Sequence, residues 1–254
     1  MANQSTGRFT WHEVMTSDAV AATAFYTALF GWTVQEVDMG PAGKYRLFLK
    51  GTKGVGGAMT APPGVPSHWL VYVGTEDTDA TARKVVELGG KILQPPTSVP
   101  DTVRFAIAMD PQGAAFGVVQ NISSRPDEGP GDGPPLPGTF CWDELHTKDM
   151  GAAATYYGAL FGWTGKTSEG AMPYWHWAHA GTEIGGMMTL MMPNVPPNWL
   201  PYIAMSDVDG ATAKVKELGG KVVMPPMEMP KVGKFSIVQD PTGATFALFR
   251  SARV

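Results

Sequence analysis

Phe25-Tyr26-Thr27-Ala28-Leu29-Phe30-Gly31-Trp32 returns 131 residues later as Tyr156-Tyr157-Gly158-Ala159-Leu160-Phe161-Gly162-Trp163. The repeat extends outward in both directions. Upstream, Phe9-Thr10-Trp11-His12-Glu13-Val14 matches Phe140-Cys141-Trp142-Asp143-Glu144-Leu145 at the same offset. Downstream the offset holds near 130, pairing Val55-Gly56-Gly57 with Ile184-Gly185-Gly186, Trp69-Leu70 with Trp199-Leu200, and Asp110-Pro111 with Asp240-Pro241. Self-similarity at a fixed period is the signature of a duplicated unit. The chain therefore divides into a first domain at 1–122, a Pro/Gly-rich linker at 123–138 with no apolar pattern to bury, and a second domain at 139–254.

Inside each half the same order of elements repeats. A β-prone run at Phe9–Val14 leads to Ser17-Asp18, a good N-cap, then an Ala-rich helix that stops at Gly31. Short strands follow at 33–37, 45–50 and 55–60. After Pro62-Pro63-Gly64 the pattern restarts, with a strand at 68–73 and a helix opening near Asp77 or Asp79 and closing at Gly89-Gly90. Strands then lie near Ile92, at 104–109 and at 114–120, the last two joined by the turn Asp110-Pro111-Gln112-Gly113. Each half is two βαβββ modules, and the chain has four. The fold class is α+β.

Composition narrows the function classes. The 254 residues are 44% hydrophobic and 17% charged, as in globular domains. Residues 1–124 and 138–254 each carry nine basic and ten acidic side chains, with no basic cluster to neutralise phosphates, so neither nucleic acid nor an anionic membrane surface is an expected partner. No run approaches the roughly 20 apolar residues that span a bilayer, and the opening segment lacks a signal-peptide pattern, so a cytoplasmic location is expected. The single cysteine, Cys141, makes neither an internal disulfide nor a thiolate cluster.

The four βαβββ modules, the helix end Phe25–Trp32, the helix-to-strand Leu88-Gly89-Gly90-Lys91 and the turn Asp110-Pro111-x-Gly113 together resemble the vicinal oxygen chelate superfamily. That group includes glyoxalases, extradiol dioxygenases and bleomycin-resistance proteins, and the likeness is to its tandem glyoxalase-like branch. The resemblance implies that paired modules curl into open antiparallel cups, with helices outside and the ligand or metal inside. It also implies where ligands to a divalent Ni, Zn, Mn or Fe ion would stand. Those positions fall on Trp11, His68, Gly56-Gly57-Ala58 and Gly117 in the first half, and on Trp142, Asn198, Gly185-Gly186-Met187 and Ala247 in the second. Only His68 is a donor of the usual kind, so no metal and no other cofactor is expected.

Strand alternation assigns the remaining candidates to faces. Trp11 and Glu13 share one face, as do Trp142 and Glu144, whereas His12 points the other way. Glu13 and Glu144 have two readings. Each is a desolvated acid or base within an apolar cup, or a carboxylate hydrogen-bonded to fix the sheet. His68, next to Tyr72 on its strand face, is an acid/base group, a ligand anchor or a plain rim histidine. Trp11, Tyr72, Trp142, Asn198 and Tyr202 are candidate ligand-lining side chains, joined by Met187 from the Met-rich second half. His176 and His179, three apart on one strand, would face opposite sides.

The leading expectation is a metal-independent protein that binds an aromatic or apolar small molecule. A rival is a glyoxalase-like lyase or isomerase acting on a 2-oxoaldehyde or its thiol adduct, with Glu13 as base and His68 as ligand or acid. A third is a structural protein whose cups are filled by their own side chains. Either a pseudo-symmetric monomer or a homodimer is compatible with the repeat.

Overall fold

The computed structural model describes residues 5–39, 43–124, 135–168, 173–192 and 194–252. Most of the linker expected at 123–138 lies outside them. The first half comprises β1 (Phe9–Thr16), α1 (Ala19–Phe30), β2 (Thr33–Asp38), β3 (Lys44–Lys50) and β4 (Lys53–Thr60), then β5 (His68–Gly74), α2 (Thr78–Glu87), β6 (Lys91–Val99), β7 (Val103–Met109) and β8 (Ala115–Asn121). The second half repeats it as β9 (Phe140–Thr147), α3 (Met150–Phe161), β10 (Thr164–Ser168), β11 (Tyr174–His179) and β12 (Thr182–Thr189), then β13 (Asn198–Ala204), α4 (Val208–Glu217), β14 (Lys221–Met229), β15 (Gly233–Gln239) and β16 (Thr245–Ser251). Four βαβββ modules are present, in two eight-stranded sheets.

Strand order is β2-β3-β4-β1-β5-β8-β7-β6 in one sheet and β10-β11-β12-β9-β13-β16-β15-β14 in the other. Each three-strand meander is antiparallel, as expected for a cup. The pair that closes each module, such as β1 with β4 or β9 with β12, is parallel. The helix after the first strand is the crossover that makes this possible, since parallel neighbours cannot be joined by a tight hairpin.

The helix ends follow the sequence signals. Asp18 Oδ1 accepts from the Val20 and Ala21 amides at 3.0 Å, and Asp77, Asp149 and Asp207 cap the other three helices. Gly31 and Gly162 end α1 and α3 at φ 69° and 72°, a left-handed conformation that costs glycine little.

Compact packing mixes the two halves. One unit comprises residues 1–11, 71–132 and 142–199, and the other 12–70, 133–141 and 200–254. The first unit packs Val71, Val85 and Phe116 with Leu145, Tyr157, Trp163, Trp177, Met187 and Trp199. The second packs Phe25, Tyr26, Trp32, Phe48 and Trp69 with Ile203, Val215, Phe246 and Leu248.

Each core carries the same polar anchor. In the first unit Trp199 Nε1 donates to the Tyr157 hydroxyl at 3.1 Å, which donates to Asp110 Oδ2 at 3.1 Å. In the second, Trp69 Nε1 donates to Tyr26 at 2.9 Å and Tyr26 to Asp240 Oδ2 at 2.9 Å. The other oxygen of Asp110 accepts from the Gln112, Gly113 and Ala114 amides, so one carboxylate ties the predicted turn to the core. Burial beside these carboxylates raises both tyrosine pKa values well above the ordinary phenol range.

Candidate functional site

The chemistry gathers on one face of β10, β11, β12 and β9, at residues that lie within the first unit. Register aligns Lys166, His176, Gly186 and Glu144 in one row across these four strands. Two residues along each strand, alternation places Ser168, Tyr174 and His146 on the same face, and register sets Met188 beside His146.

Gly186 is what lets the two rows meet. A Cβ there would overlap the Tyr174 hydroxyl, so its absence opens the path by which Tyr174 reaches Glu144. The Tyr174 hydroxyl donates to Glu144 and accepts from Trp142 Nε1 at 2.8 Å. Burial, then the nearby Glu144 carboxylate, pushes the Tyr174 pKa far above the phenol range, so it stays a donor. His146 Nε2 lies 2.7 Å from Glu144 Oε1. Glu144 is 5% exposed, and its two neighbours answer the cost of burying a carboxylate.

Next to this cluster the edge strands leave a hollow of about 290 Å³, lined in part by Thr164, Lys166, His176 and Glu183. His176 Nδ1 is buried without a hydrogen bond, 3.7 Å from Glu183 Oε2. His179 lies against Gly7 instead.

The first half keeps the frame and loses the polar row. Gln35, Leu47, Gly57 and Glu13 align across β2, β3, β4 and β1, and Tyr45 covers Gly57 as Tyr174 covers Gly186. Leu47 stands where His176 stands, and Met15 where His146 does.

The other expected site residues are placed as follows. His12 is buried and stacks on Phe140, ring centroids 3.7 Å apart. His68 Nδ1 donates to the Pro66 carbonyl at 2.8 Å, and Asn198 Nδ2 makes the same bond to Pro196, so both close a local turn. Among the described residues no carboxylate or imidazole pairs with His68, and no three His, Cys, Asp or Glu side chains are placed to hold a metal ion. Trp11 and Trp142 are half-buried. Tyr72 is 4% exposed, its ring filling the space over Gly117, and Tyr202 packs near Phe235 and Phe249.

Met187 requires a correction. It was expected to line a ligand site, but it is fully buried in the apolar core with Leu145. Gly186 faces Tyr174, so the next residue faces the opposite side, and Met188 is the methionine beside the cluster.

Sequence reasoning passed over His146 and Tyr174. The available signal for His146 was Trp142-x-Glu144-x-His146, a period-two run that puts all three on one face.

Comparison with known proteins gives a consistent family. The model for the "Glyoxalase/Bleomycin resistance protein/Dioxygenase superfamily" matches residues 8–118 and 144–248. The chain is 34% identical over 253 residues to "Putative glyoxylase CFP32" of Mycobacterium tuberculosis, covering 95% of this chain and 94% of that protein. It is 32% identical over 267 residues to "Anthracycline biosynthesis protein DnrV" of Streptomyces peucetius, covering 98% and 94%. Among solved structures, the Mn(II)-bound glyoxalase from Novosphingobium aromaticivorans aligns with a TM-score of 0.65 at 14% identity, over 96% of this chain and 82% of that one, a likeness of fold.

Proposed function

The chain belongs to the glyoxalase/bleomycin resistance protein/dioxygenase superfamily, and on that premise we propose that it binds a planar aromatic or apolar small molecule without a metal ion. The observation that carries this reading is how the family's ligand positions are filled. Gly57, Gly117 and Gly186 carry no side chain, and Tyr45, Tyr72 and Tyr174 occupy the space a Cβ would take, so three of the four strand-ending positions present no carboxylate or imidazole donor. The fourth, Ala247, pairs in register with Tyr202 and offers no donor. His68 is left as a lone imidazole, where about three protein ligands are usual.

The half-buried indoles of Trp11 and Trp142 offer flat surfaces to an aromatic ligand, and Met188 adds an adaptable one. A relative named for anthracycline biosynthesis is in keeping with an aromatic ligand. Among the described residues His68 hydrogen-bonds the Pro66 carbonyl rather than a carboxylate, which disfavours the rival lyase built on Glu13 and His68.

The test is metal stoichiometry by plasma mass spectrometry after the protein is offered Ni, Zn, Mn and Fe(II). Far less than one ion per chain is expected, unchanged in His68→Ala. About one ion per chain that disappears in His68→Ala would overturn metal independence.

A further inference from the structure

His146 is a histidine with a carboxylate behind it and an open nitrogen in front. Glu144 is a hydrogen-bond acceptor, so the 2.7 Å contact puts the imidazole proton on Nε2 and leaves the lone pair on Nδ1. Among the described residues Nδ1 has no hydrogen-bond partner, and it is not among the buried unpaired atoms, so it is open to a ligand. A carboxylate on the far nitrogen fixes the tautomer and the orientation of the ring, which leaves Nδ1 as the proton acceptor. Trp142, four residues before His146 on the same face, supplies a half-buried aromatic surface.

The comparison of halves separates this pair from the scaffold. Both halves keep the Glu, the Tyr reaching over a Gly, and the Trp, which is what a sheet-fixing arrangement requires. Only the second half adds His146, along with His176 and Lys166 in the adjoining row, where the first half has Met15, Leu47 and Gln35. The added groups are those that accept or exchange protons.

We infer that Glu144 and His146 form a recognition site for the weakly acidic hydroxyl of a phenol or enol carried on a planar aromatic ligand, with His146 Nδ1 as the proton acceptor and Glu144 as its positioning residue. This rests on the aromatic-ligand reading above. In the step, the ligand O–H bond breaks, its proton moves to Nδ1, and the electron pair stays on oxygen. The resulting imidazolium donates through Nδ1 to the phenolate and through Nε2 to Glu144. Nothing is oxidised or reduced. Among the described residues the other titratable groups about this face include Tyr174, held protonated beside Glu144, His176 and Lys166 in the adjoining row, and Glu183, which lies 3.7 Å from His176 and also acts on Tyr174.

The test compares para-nitrophenol, whose phenolate is yellow, with para-nitroanisole, which has no proton to give, at a pH where the free phenol is mostly protonated. The native protein is expected to bind the phenol about tenfold or more tightly than the anisole, in the range of a charge-assisted hydrogen bond, and to turn it yellow. His146→Met and Glu144→Gln are expected to bind both probes equally and leave the phenol colourless, with Glu144→Asp restoring part of the colour. The first half carries Met15 at the position of His146, so His146→Met should fold; His146→Gln serves if it does not. Equal, colourless binding of both probes by the native protein overturns this inference and leaves the aromatic-ligand reading standing. Binding of neither overturns both.

Discussion

Removing one oxygen from the first core tests whether its polar anchor holds the unit together. Tyr157 is fully buried, and its hydroxyl accepts from Trp199 Nε1 and donates to Asp110 Oδ2, both at 3.1 Å. Tyr157→Phe deletes a hydrogen bond to a carboxylate, worth about 1.5–3 kcal/mol, and strands a buried indole N–H, at about 1–3 kcal/mol. Asp110 keeps its three backbone donors, which limits the loss on that side. The expected destabilisation is about 3 kcal/mol, or about 6–12 °C in melting temperature for a chain of this size. Differential scanning calorimetry and urea unfolding would measure it. Tyr26→Phe removes the equivalent bonds to Trp69 and Asp240 and should cost a similar amount, and the two changes should add because they share no partner. A loss below about 1 kcal/mol would refute the reasoning and assign these cores to packing alone.

Alkaline pH should destabilise the fold through its tyrosines. Tyr26, Tyr156, Tyr157 and Tyr174 all have pKa values raised by burial, and each also lies near a carboxylate. A folded pKa above the unfolded one gives stability that is complete below about pH 10 and is lost as pH climbs above it. Ultraviolet titration should therefore leave at least these four of the seven tyrosines un-ionised until the protein unfolds, and early ionisation of all seven would contradict this. Gly186→Ala should force Tyr174 off Glu144 at about 1–3 kcal/mol of overpacking, with altered Trp142 fluorescence as the optical readout; an unchanged melt and spectrum would show that the strand yields instead.

Much of the architecture was legible because its signals are local. The Asp caps, the left-handed Gly31 and Gly162, and the Asp110 turn are set by residues within a few positions of one another. The placement of Tyr45 and Tyr174 was not, because each acts across strands on a glycine many residues away, and nothing local marks that glycine as the gap to be filled. Met187 was misassigned for a related reason. The Met-rich composition of the second half does not say which face a methionine takes, and a strand reverses face at every residue. The repeat itself hid His146. Attention to what both halves keep selected Glu13 and Glu144, while the informative feature was what the second half alone adds to that frame. The mixing of modules in the compact units is equally invisible in a repeat, which shows what is duplicated but not which copies pack together.

The most direct test of the account is calorimetric titration of a planar aromatic phenol, 1,8-dihydroxyanthraquinone, into protein stripped of metal with a chelator. Saturable binding that is unchanged when Ni, Zn, Mn or Fe(II) is restored is the predicted result. Binding that appears only after one of these ions is returned, and that fails in His68→Ala, would contradict it.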